Sequence, residues 1–263
     1  PLANATGEDL ESYNWPEPER YLTLDALRER LKMLKAQDDR ALVARAVNSY
    51  GPFEQACALR GRAQFLMDLA MDPEFAELLV TKVTDVIVRL DEIYLDIVGP
   101  DIDMIEIPGD DYAGTDKLLI SPKMFKEVFE PALVRIVKPI KEYRSDLFIA
   151  FHSDGAITDL LPRFVEVGID VFHPLEPLPA NDMAEIKATF GDRLSFMGAI
   201  DIREAMPGPP AMIESEVKHR INLLAPGGGY ILAPANHLQT DVPPKNIVAL
   251  YEFGHQYGTY PVG

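Results

Sequence analysis

His152 and Asp154 stand two positions apart at the end of the apolar run LFIAFH, just ahead of a glycine and a new amphipathic segment. Alternate residues at a strand end project to the same side, so an imidazole nitrogen and a carboxylate oxygen can act on one bound group. Other apolar runs end in the same manner. Asp110 and Asp111 follow DIDMIEI, His173 and Glu176 lie in DVFHPLEP, Asp201 follows LSFMG, and Asn236 and His237 follow GYILA. Glu176 is flanked by prolines, which hold it on a stiff loop beside His173 as a general acid or as the group that orders the histidine. Asp110 and Asp111 are expected at the mouth of a pocket, in contact with substrate or with a metal-bound water.

To bring these side chains together the chain must alternate strand and helix. Short β-branched or apolar runs predict strands at 41–48, 101–107, 147–152, 170–173, 194–198 and 229–233. Amphipathic stretches at 63–98, 122–143, 157–167 and 210–224 predict the helices between them. This order implies an α/β fold with a parallel sheet. Polar residues gathered just after the strands favour closure into a barrel, because a barrel's C-terminal loops form one ring. His152, Asp154, His173 and His237 are expected to converge there. No internal repeat or linker interrupts 1–263, which reads as a single domain.

Plainer roles compete for several of these positions. Asp159 and Asp201 have the placing of helix caps, and His219 and His255 that of surface residues. PGGGY precedes a strand instead of opening a helix, so it reads as a tight turn and not as a phosphate cradle. The opening run through LDALRERLKML reads as a capped segment followed by a solvated helix, with Trp15 a packing residue.

Composition narrows the partners. The chain has 263 residues, 47% of them hydrophobic, and a formal charge of −17. It is long enough for a sizeable core, and its charge repels nucleic acid and anionic membrane surfaces. No apolar run approaches the ~18 residues of a membrane span. A single cysteine, Cys57, leaves no internal disulfide and agrees with a reducing cytoplasm.

Three stretches, FHSDGAITDLLPRFVEVGIDVFHPLEP, KATFGDRLSFMGAID and LAPGGGYILAPANHLQTDVPPKNIVALYE, resemble the uroporphyrinogen decarboxylase superfamily, which also holds cobalamin-dependent methyltransferases. The resemblance implies a distorted (β/α)8 TIM barrel whose first strands would precede the present chain. It also implies an enzyme acting on a small molecule and allows for a homodimer.

Departures from the superfamily pattern favour one branch. Decarboxylases carry a tyrosine near the position of Ala58, and GPFEQACALRG places glutamate and glutamine beside it. Their polycarboxylate substrate calls for an arginine-rich cleft, whereas the loops here are acidic. Thiol-activating methyltransferases hold zinc with His-x-Cys and a distant cysteine. His152 matches that histidine, Asp154 stands for the first cysteine, and Asn236 or His237 falls where the second belongs. His152, Asp154 and His237 are thus the expected zinc ligands, an N/O set that suits polarising oxygen. The function expected is a corrinoid-dependent methyltransferase working with a corrinoid (cobalamin) protein. His152, Asp154, Glu176 and His237 would be catalytic, with Asp110, Asp111, His173 and Asn236 on the substrate. Uroporphyrinogen decarboxylation in porphyrin biosynthesis, which uses no cofactor, is the alternative, and a non-catalytic ligand-binding barrel is a third.

Overall fold

The computed structural model describes residues 1–20, 22–36 and 40–262. Tyr21, within the opening segment, lies outside the described residues. All six expected strands are present: β1 (Val43–Arg45), β2 (Met104–Glu106), β3 (Phe148–His152), β4 (Val171–Leu175), β5 (Ser195–Ile200) and β6 (Tyr230–Pro234). The chain forms two compact units. One holds Pro1–Asp111, Ile120–His152 and Glu166–Ile169, and the other holds Tyr112–Leu119, Ser153–Val165 and everything from Asp170 onward.

In the first unit β1, β2 and β3 run parallel in that order, with Ala44 opposite Ile105 and Ile105 opposite Ile149. Ile105, Ile149, Ala150 and Phe151 are fully buried or nearly so. The middle of β3 is buried on both faces and reads as an apolar run, whereas β1 and β2 alternate in burial. The expected helix over 63–98 is two helices, Arg62–Met71 and Pro73–Val98. Pro73 has no N–H to continue the first, and the Asp72 side chain instead accepts from Phe75 N at 3.2 Å, capping the second. The expected helix over 122–143 is also interrupted. A π-helical turn, Phe125–Phe129, separates Pro122–Met124 from Glu130–Tyr143, because Pro131 cannot donate to the turn before it. Phe129 packs edge-on against Phe53, with ring centroids 5.3 Å apart, and this pair anchors the helix Pro52–Arg60.

In the second unit β4, β5 and β6 are likewise parallel and in chain order. The register between β4 and β5 shifts between Phe172 and Leu175, so β4 bends as it delivers His173 and Glu176. Ile213, Val217 and Ile221, at helical spacing on Pro210–Leu224, bury against Leu250 of Pro244–Tyr257. PGGGY forms the expected turn into β6. Gly227, Gly228 and Gly229 have φ of 78, 89 and 75°, a run of left-handed conformations that only glycine takes without strain. The six parallel strands among the described residues are compatible with part of a distorted TIM barrel, and no described helix is long and apolar enough to cross a membrane.

Candidate active site

In the first unit the ends of β2 and β3 meet over a glycine. A Cβ on Gly109 would lie 2.7 Å from the His152 Cβ and 2.9 Å from its carbonyl oxygen, so no other residue lets the two strand ends approach this closely. Asp110 N donates to that same carbonyl at 3.0 Å. This fixes Asp111 beside His152, with Asp111 Oδ1 3.6 Å from His152 Nε2 and both side chains partly open to solvent.

Asp110 points elsewhere. It is fully buried, and its oxygens accept from Phe53 N at 3.0 Å and Glu54 N at 2.8 Å. Both bonds cap the helix Pro52–Arg60, whose preceding Gly51 has no side chain to offer. The residue expected on the substrate is therefore spent on a helix terminus. The same cap brings Glu54 toward the site. Burial, and after it the charge of Asp111, push the Glu54 carboxyl above its usual range, while Arg62, 3.3 Å away, opposes them. Sequence reasoning passed over Glu54 as a site residue, and its only signal was the acidic intrusion in GPFEQ.

In the second unit, Asn236 joins two of the expected residues. Its amide nitrogen donates to Asp154 Oδ2, and its carbonyl oxygen lies 3.1 Å from His237 Nδ1. A carbonyl oxygen can only accept, so this contact calls for a proton on Nδ1.

Glu176 is 8% exposed. Its Oε2 accepts from Gly155 N at 2.7 Å and its Oε1 from Arg203 Nη2 at 3.1 Å. Thus engaged, it positions the loop that carries Asp154. The expectation that it orders His173 finds a different contact, since the carbonyl of His173 accepts from Ser153 N at 2.9 Å and steadies that loop through the backbone. Arg203, also overlooked in the sequence, is placed by Asp201, whose carboxylate caps the turn through Arg203 N, Glu204 N and Ala205 N. The cap reading of Asp201 is the one the structure bears out.

The profile of the uroporphyrinogen decarboxylase (URO-D) family matches residues 2–257. The chain belongs to the uroporphyrinogen decarboxylase family. No curated protein sequence matches it significantly. Among solved structures, this family member is similar to a methyltransferase from Methanosarcina mazei, with 21% identity and a TM-score of 0.68 over 88% of the present chain and 64% of the other. The chain thus spans less than two thirds of that protein's length, and at this identity the likeness is one of fold. An α-amylase from Geobacillus thermoleovorans (15% identity, TM-score 0.46, 88% and 60% covered) and a 2,3-dimethylmalate lyase (12%, 0.34, 91% and 87%) are more distant.

In the first unit of this family member, Asp111 and His152 offer an oxygen and a nitrogen to one ion. Of the expected ligands this pair holds His152, and Asp111, expected on the substrate, stands beside it. The donor chemistry fits a divalent ion. At 3.6 Å the Asp111 oxygen and His152 nitrogen are too far apart for a hydrogen bond. Two ligands each ~2.0–2.2 Å from a tetrahedral ion lie roughly 3.4 Å apart, which is close to this spacing. Cys57 is no competitor, because burial pushes its thiol up to about 12 and keeps it protonated.

Proposed function

We propose that the chain is a methyltransferase that takes a methyl group from a small oxygen- or nitrogen-linked donor and passes it to a reduced corrinoid on a partner protein. The observation that carries this reading is the spacing of Asp111 and His152, too long for a hydrogen bond and suited to two ligands of one ion. Asp154, two residues along the chain from His152 and the ligand expected with it from the sequence, would complete an N/O set of three with a position left open for substrate. A divalent ion in that set would supply a Lewis acid for the donor's leaving atom. Without thiolates the set favours oxygen or nitrogen over sulfur as that atom.

The chain's own residues have distinct tasks. Asn236 orients the Asp154 carboxylate and fixes the tautomer of His237. When its ring is neutral, with the lone pair on Nε2, His237 can take up a proton and return it to the donor atom as the methyl–oxygen or methyl–nitrogen bond breaks and the electron pair stays on that atom. Glu176 is a positioning residue that acts through Gly155.

Metal analysis of the purified protein, with methyl transfer from methylated phenols and amines to cob(I)alamin followed by absorbance, tests the reading. One bound divalent ion and metal-dependent methylcobalamin formation are expected. Metal-independent release of carbon dioxide from uroporphyrinogen would overturn it in favour of decarboxylation.

A further inference from the structure

Asp91 on the helix Pro73–Val98 is 5% exposed, and neither of its oxygens has a hydrogen-bond partner among the described residues. A carboxylate so placed is costly unless something pairs with it. It lines a cavity of about 110 Å³ between this helix and Glu130–Tyr143. The apolar walls come from Val88, Leu95, Ile136 and Ile140, and Glu92 and Asp96 lie beside Asp91.

No lysine, arginine or histidine lines this cavity among the described residues. Tyr143 brings one hydroxyl, which the carboxylates of Asp91, Glu92 and Asp96 outnumber. Pro139 on the facing helix also lines the cavity and brings no N–H to it.

We propose that this cavity binds a small organic ammonium ion, its cationic head on Asp91 and its short alkyl tail against the aliphatic walls. The ammonium group offers three donors and one positive charge, which answers the buried Asp91 carboxylate, whereas Glu92 at the rim is already paired with Arg89 at 3.1 Å. A bare divalent ion would need about six oxygen ligands, and aliphatic walls do not supply them. A neutral donor would leave the charge uncompensated. The volume is below the roughly 150 Å³ that takes up benzene, so the tail is limited to a few carbons. The site shares no residue with the Asp111–His152 pair and does not depend on the reaction proposed above.

The test is titration of n-propylammonium chloride into the whole chain at pH 8, followed by calorimetry and by the shift in melting temperature. Potassium chloride at equal ionic strength and 1-propanol serve as controls. A saturable rise with n-propylammonium alone is expected, at least tenfold weaker in Asp91→Asn, whose carboxamide keeps the shape and loses the charge. Val88→Phe fills the cavity and keeps Asp91, so it should abolish binding even if the first variant folds poorly. An equal response in both variants, an equal response to potassium chloride, or no saturable response would overturn the proposal.

Discussion

The side-chain amide of Asn236 donates to the carboxylate of Asp154 across 82 positions of sequence, tying the loop after β6 to the loop after β3. Groups that orient a metal-binding carboxylate commonly account for about 10–100-fold in affinity or activity. Asn236→Asp should therefore lower metal affinity and turnover by at least ~10-fold, because a second carboxylate repels Asp154 and cannot donate. Metal content by mass spectrometry and kcat/KM for methyl transfer measure this, and the melting temperature should stay nearly constant.

Asp111→Asn is expected to cost metal affinity by a similar ~10–100-fold, and His152→Ala to remove the ion. The affinity of the intact chain should fall as the solution is acidified, since His152 must be unprotonated to bind. Competition with a chromogenic chelator across pH reads both effects.

Asp110→Ala should act on stability. It removes two charge-assisted bonds to Phe53 N and Glu54 N from a buried helix terminus, for about 1–2 kcal/mol or more. A lower urea midpoint is expected, with kcat per folded molecule little changed. If kcat collapsed while the midpoint held, Asp110 would belong to the chemistry.

Asp91 makes stability depend on pH. Burial raises its carboxyl to about 7, whereas an unfolded chain leaves it near its ordinary value. The groups around it are Glu92, Tyr94 and Asp96 on its own helix and Tyr143 on the facing one, none of them a cation. With the folded value raised, the folded state holds the proton more tightly than the unfolded state. The contribution is complete below the ordinary carboxylate range and is lost as pH rises through about 7. Asp91→Asn should remove this loss, which is on the order of a few kcal/mol, and make the urea midpoint fall less steeply between pH 5 and pH 8.

LFIAFH was legible because the buried middle of β3 is an uninterrupted apolar run, and GYILA by its β-branched and aromatic residues although β6 is only partly buried. The helix break at Asp72–Pro73 was legible in principle, since aspartate before proline is a common helix opening. The duty of Asp110 was not. Its partner, Phe53 N, lies 57 positions away, and a cap formed at such range leaves no local pattern. Glu54 and Arg203 were missed for the same reason, as each gains its significance from neighbours that only the folded chain supplies. His152 was legible as the polar end of an apolar strand run, whereas Asp154 lies beyond the end of β3 and is held by Asn236.

Cys57 is the one thiol in the chain, buried and held protonated by its surroundings. A thiol reagent at neutral pH meets almost no thiolate in the closed state, and modification must wait for the helix Pro52–Arg60 to open. The rate of labelling is therefore a clock for that opening. The helix is capped by Asp110, next in sequence to Asp111, so the chain has a built-in chemical reporter of how often this part of the site comes apart.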